Sequence, residues 1–212
     1  VDSAVSLQNR YIHENIDKVS HGILPKEPSD LIEVIKHLLQ NRDETTDLHL
    51  LNEAIKIQSL INMMETFENI DIDALNDTRK ILETAVAVAC FDEFQKVYNN
   101  VKALSDKYSV DNMGKRALNN TALHMIAVAL LAKNDAESAS VLVKKHYTNA
   151  NNMTDRLAAL TDAVHLKLKC ANDLLIDFEN QFGDDPLVFD NFFRVQATAP
   201  DIETVFSVRK LL

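Results

Sequence analysis

Three kinds of residue in this chain invite a chemical reading: histidines beside carboxylates, two cysteines, and one glycine-lysine pair. Two imidazoles one helical turn apart with a glutamate between them share a face, grip a metal ion and leave the carboxylate to act as a base. His13-Glu14 opens such an H-E-x-x-H string, but Asp17 stands where the second imidazole is needed. The seven histidines, at 13, 21, 37, 49, 124, 146 and 165, nowhere recur at four-residue spacing, so structural or solvated roles are expected for them. Gly114-Lys115 lacks the earlier glycine and the strand that a phosphate-cradling loop requires, and Asp111 marks the place as a helix start. No G-x-S-x-G elbow occurs. The adjacent carboxylates Asp92-Glu93 and Asp184-Asp185 read as a helix surface and a helix cap rather than as general acid and base. Phe189, Phe192 and Phe193, at helical spacing in an acidic chain, read as core packing rather than as a stacking platform. Cys90 and Cys170 lie far apart in apolar surroundings with no C-x-x-C pair, and are expected to be buried free thiols in a reducing compartment. These residues assemble no catalytic centre. No catalytic, metal-ligating or binding residue is therefore assigned, and no cofactor is expected within this chain.

The elements that position these residues follow from composition. Among 212 residues there are only 3 glycines and 4 prolines, so most of the chain must lie in regular elements with short connections. With no tryptophan and 6% aromatics, the core has to come from Leu, Ile, Val, Ala and Met. A net charge of −10 argues against nucleic acid, which is held by clustered Lys and Arg, and against anionic membrane surfaces. The longest apolar run, Met125 to Ala132, falls short of the roughly 20 residues of a membrane span. The opening VDSAVSLQ has neither a basic nor an apolar signal region and no initiator Met, as expected for a piece of something longer.

The apolar residues recur every three or four positions. Val5, Leu7, Ile12 and Ile16 predict a first helix ending near the loop from Gly22 to Pro28. Ser29 or Asp30 is expected to cap a second, with Leu31, Val34, Ile35, Leu38 and Leu39 on one face. After a turn from Asn41 to Asp47, two short helices carry Leu48, Leu51, Ile55 and then Leu60, Ile61, Met64 and Phe67, with Ser59 capping the latter. Asp71 or Asp73 opens the longest pattern. Leu75, Leu82, Val86, Cys90, Phe94, Val97, Val101 and Leu104 predict one unbroken helix of about 45 Å. Asp111 starts another, with Leu118, Ala122, Met125, Ala129 and Leu130 inward. A turn at Lys133 to Asp135 leads to a helix from Ala136 to Tyr147.

Two helix starts with their caps are then written into Asn151 to Pro200. Asn152 or Thr154 can accept from an orphan N–H of the next helix, with Asp155 at the positive end of its dipole. Leu157, Leu160, Val164 and Leu168 form that face, and Leu174, Leu175, Phe178 and Phe182 the next. Gly183 is expected to end a helix in the left-handed conformation, and Asp184 or Asp185 to cap its successor, with Pro186 in the first turn and Pro200 past the end. Leu187, Val188, Phe192 and Val195 face inward there, followed by Ile202, Val205, Val208, Leu211 and Leu212 on an unfinished last helix. No stretch alternates as a strand. The expectation is an all-α chain of layered helical hairpins, an armadillo- or HEAT-like α-superhelix, forming a single helical domain over residues 1–212.

The later part of the chain carries ordered motifs. Ala150-Asn151-Asn152-Met153-Thr154-Asp155-Arg156-Leu157-Ala158-Ala159-Leu160 resembles the N-N-M-T-D-x-x-A-A-L motif of the bacterial aminopeptidase N family of zinc-dependent gluzincin aminopeptidases. Asp185 to Phe193 and Val195-Gln196-Ala197-Thr198-Ala199-Pro200 are similar to its L-V-M-D-K-W-F-x-x-Q-A-T-S-P segment, with Phe189 for Met, Asn191 for Lys, Phe192 for Trp and Ala199 for Ser. Val208-Arg209-Lys210-Leu211-Leu212 resembles the V-R-x-L-L that follows, and Lys115 to Asn120 and Ala139 to Val143 match upstream.

The resemblance implies that this chain is most of the C-terminal helical domain of such an enzyme, truncated at its C-terminal end and lacking the catalytic zinc domain. The parent would be a cytoplasmic zinc metallo-aminopeptidase of alanyl type, releasing N-terminal amino acids from peptides through a zinc-activated water. The zinc ligands, the general-base Glu and the residues holding the substrate amine would lie in the missing parts, so this chain alone would be inactive. Its partners would be the catalytic and β domains of the same parent chain. Packed on the catalytic domain, it would enclose an active-site chamber that admits short peptides. The alternative reading is a free-standing helical-repeat scaffold that grips a partner peptide.

Overall fold

Scarce glycine and proline leave long stretches in which each N–H finds a carbonyl one turn back, and the chain answers with helices. The computed structural model describes residues 2–43, 45–67, 71–100, 110–200 and 204–211. Among these there are twelve α-helices and no strand: α1 (Asp2–Ser20), α2 (Ser29–Gln40), α3 (Leu48–Ile55), α4 (Leu60–Met64), α5 (Ile72–Ala89), α6 (Phe91–Asn100), α7 (Val110–Ala132), α8 (Ala136–Asn149), α9 (Met153–His165), α10 (Ala171–Phe182), α11 (Pro186–Ala197) and α12 (Thr204–Leu211). The expected all-α class of successive helices is the observed one. They fall into two compact units, Val1–Ala132 and Lys133–Leu212.

In the first unit α5 packs against α1 and α7, and α7 also packs against α3 and α6. Ile12, Leu31, Ile35, Ile55, Met63, Leu75, Leu82, Val86, Phe94, Leu123 and Met125 are buried there. Each such aliphatic side chain contributes about 1.5–3 kcal/mol relative to exposure. The face of α2 is rotated from the expected one: Ile32 is buried, whereas Val34 and Leu38 are half-buried. Leu130 of α7 is likewise half-buried, while Leu118, Ala122, Met125 and Ala129 are inward as expected.

The unbroken 45 Å helix is not formed. At Cys90 the backbone opens to φ −105°, ψ 19°, ending α5 and starting α6. The thiol is fully buried, 4.0 Å from the Ile32 carbonyl. The change of direction sets α5 on α1 and α6 on α2, with Gln40 Nε2 donating to Glu93 at 2.8 Å. Val101 and Leu104 lie outside the described residues. Gly114 is inside α7, where a Cβ would stand 2.9 Å from the His49 backbone nitrogen. Glycine here lets α7 approach the start of α3.

In the second unit α9 packs against α8, α10 and α11, and α11 against α12. Val143, Tyr147, Leu160, Ala163, Leu174, Phe178 and Val195 are buried. The two buried thiols are free, as expected, and burial pushes Cys90 up to about 12, so it is held as a thiol. The backbone N–H of Cys170 donates to Ser140 Oγ at 3.0 Å, fastening the start of α10 to α8. The phenylalanine cluster is only partly core. Phe192 is buried and stacks on Phe189 with centroids 4.7 Å apart, but Phe193 is 38% exposed. On α12 Val205 and Phe206 are exposed and Val208 is half-buried. Ile202, Leu212 and the side chain of Leu211 lie outside the described residues.

Several helix ends differ from the sequence expectation. Pro28, not Ser29 or Asp30, precedes α2, and no side chain caps it, because proline at that position has no side-chain acceptor; the Asp30 carboxylate, inside the first turn, pairs with Arg10. Asp47, Ser59, Asp71, Asp135 and Asp185 do accept from the first-turn amides of α3, α4, α5, α8 and α11. The start of α7 at Val110 leaves Asp111 inside the helix, with its side chain outside the described residues. Gly183 is right-handed (φ −58°, ψ −26°); it is small because a Cβ would lie 2.7 Å from the Glu179 carbonyl. Left-handed backbone occurs instead at Gly22 (φ 74°), Asn134 (φ 60°) and Lys167 (φ 53°). After α9, the Leu168 amide reaches the Ala163 carbonyl at 2.9 Å and the Lys167 amide that of Val164 at 3.2 Å, the paired bonds of a left-handed C-cap.

Candidate functional site

The most elaborate polar cluster of the first unit grows from one turn of α5. Arg79 and Glu83, four residues apart, lie beside the buried face formed by Leu75, Thr78, Leu82 and Val86. Arg79 Nη2 donates to Glu83 Oε1 at 2.9 Å, and Arg79 Nε to the Gln58 carbonyl at 2.8 Å. His124 Nε2 of α7 lies 3.3 Å from the same carboxylate oxygen. Burial alone would raise the Glu83 carboxyl, but the hydrogen bond and charge of His124, and then those of Arg79, outweigh it and hold it below the ordinary value. Gln8 of α1, fully buried, donates to the Lys56 carbonyl at 3.1 Å and accepts from the Gln58 amide at 2.9 Å. Thr121 Oγ1 donates to the buried Asn52 Oδ1 at 2.7 Å, joining α7 to α3. Charge and amide groups here tie helices to one another.

The second unit holds the N-N-M-T-D-R stretch. Asn152 is the N-cap of α9, with extended backbone, and its Oδ1 accepts from the Asp155 amide at 2.9 Å. Its Nδ2 in turn donates to Asp155 Oδ2 at 2.7 Å, so the two side chains close on each other. Thr154 is exposed inside the first turn and caps nothing, which settles the open choice between Asn152 and Thr154. Arg156 Nη2 donates to the Ala150 carbonyl at 3.1 Å and Nη1 to Gln181 Oε1 at 2.6 Å. Its guanidinium lies 5.4 Å from the ring centroids of both Tyr147 and Phe182. One arginine thus joins α8, the loop after it, α9 and α10. Burial and the Asp177 carboxylate keep the Tyr147 phenol above its ordinary pKa. Burial pushes the His146 imidazole down, against the pull of Asp155 and Asp162.

The remaining sequence candidates are dispersed. His13 and Glu14 are exposed on α1, with the His13 ring stacked on Phe67 at 4.1 Å. His21 Nδ1 lies 2.6 Å from the Asp17 carbonyl, and His165 Nε2 lies 3.0 Å from that of Val195. Asp92 is exposed and Asp184 lies in the loop before the Asp185 cap. Among the described residues no three His, Cys, Asp or Glu side chains converge as metal ligands would. No described helix is long and apolar enough to cross a membrane. The Glu83 cluster was missed by motif reading. Its signal was present as Arg79 and Glu83 at i, i+4 beside a strongly apolar face.

Both clusters belong to a fold that recurs elsewhere. A family profile described as "Domain of unknown function (DUF3458_C) ARM repeats" matches residues 1–212. The chain belongs to this family. It is 32% identical over 211 residues to aminopeptidase N of Escherichia coli and 29% identical over 211 residues to aminopeptidase N of Haemophilus influenzae. Each match covers 100% of this chain and 23% of the relative. The chain therefore spans about a quarter of the length of these curated relatives. The resemblance first carried by the later motifs extends along the whole sequence. A crystal structure of Legionella pneumophila aminopeptidase A in complex with aspartic acid shares the fold, with a TM-score of 0.79 and 22% identity, over 96% of this chain and 24% of that one.

Proposed function

We propose that this chain is the greater part of the C-terminal helical domain of a zinc aminopeptidase that releases N-terminal amino acids from peptides. The observation that carries the reading is the whole-length match to relatives named aminopeptidase N, of which the chain covers only 23%. The described residues do not form a zinc site, so no step of metal chemistry is assigned to them. Zinc and the reacting groups would belong to the catalytic domain of the parent, an alanyl-type enzyme of the cytoplasm. In this reading residues 1–212 form one helical domain that packs on the catalytic and β domains and encloses the active-site chamber. The buried polar clusters suit that role, because a wall that excludes folded chains must hold its own shape. Specificity would then come from access to the chamber.

The parent reading frame provides the first test. An H-E-x-x-H motif with a further Glu on the following helix is expected upstream of Val1, and its absence would remove the aminopeptidase reading. The second test uses the parent enzyme. Its hydrolysis of short peptides should be lost to a chelator and restored by zinc, while folded proteins with free N-termini stay intact. Equal attack on folded and short substrates would overturn the enclosing role.

A further inference from the structure

We draw no further inference here: the strongest candidate, the exposed apolar surface carried by Leu187 and Phe193 of α11 and by Val205 and Phe206 of α12, carries nothing because no feature of the structure shows what covers it.

Discussion

The two units solve the same problem, joining helices through buried polar groups, by different physics. In the first, a buried carboxylate, Glu83, forms an ion pair with Arg79 of its own helix and lies 3.3 Å from His124 Nε2 of α7. In the second, Arg156 is met by a backbone carbonyl, an amide oxygen and two aromatic faces, while Asn152 and Asp155 close the helix start. A buried ion pair is strongly asymmetric: intact it stabilises modestly, whereas the loss of one partner strands a charge in a poor solvent. Neutral acceptors and π faces carry no such penalty. The first unit should therefore fail abruptly when its polar centre is altered, and the second gradually.

The sharpest way to break that comparison is Glu83→Gln. It removes the charge facing Arg79 and is expected to lower stability by about 3 kcal/mol in urea unfolding. A loss below about 1 kcal/mol would mean that water reaches the site and that the ionic account is wrong. Next comes Gly114→Ala. Helix propensity alone would favour it by up to about 1 kcal/mol, but the new Cβ meets the His49 backbone, so a net loss of about 1–2 kcal/mol is expected. In the second unit Asn152→Ala should cost about 1 kcal/mol, while Thr154→Ala, exposed and outside the cap, should be close to neutral. Lys167→Gly relieves a left-handed lysine and should raise the melting temperature by the equivalent of about 1 kcal/mol.

Acid should separate the units as well. Burial holds the folded His146 below its ordinary 6.5, so the unfolded chain takes up a proton first, and stability falls as pH drops below that value. Glu83 is held below the ordinary carboxyl value, so its contribution is complete above about 4.3 and is lost only as pH falls through the lower folded value. Hydrogen exchange followed from pH 7 to 3 should therefore show amides of α8 and α9 losing protection before those of α5 and α7.

How much of this was legible depends on range. Helix existence and most caps are local, and Asp47, Asp71, Asp135, Asn152 and Asp185 each announce a start through one oxygen near an orphan amide. The break at Cys90 was illegible because nothing in the local pattern interrupts the helix; the reason is packing on α1 and α2, distant in sequence. Gly183 misled for a related reason: it suggests positive φ, but what it supplies is a close approach to its own helix. Lys167 takes the left-handed place without the residue that usually signals it. The Glu83 centre was half visible, as an i, i+4 pair, but its third member comes from α7, forty-one residues away.

The central claim is that these polar groups hold a domain together and that the chemistry lies elsewhere in a larger parent. It is tested most directly by offering an aminoacyl anilide to the purified 212-residue chain with equimolar zinc, beside the parent enzyme. The expected result is hydrolysis indistinguishable from buffer by the chain and rapid turnover by the parent. Zinc-dependent turnover by the chain itself, lost to a chelator, would contradict the account.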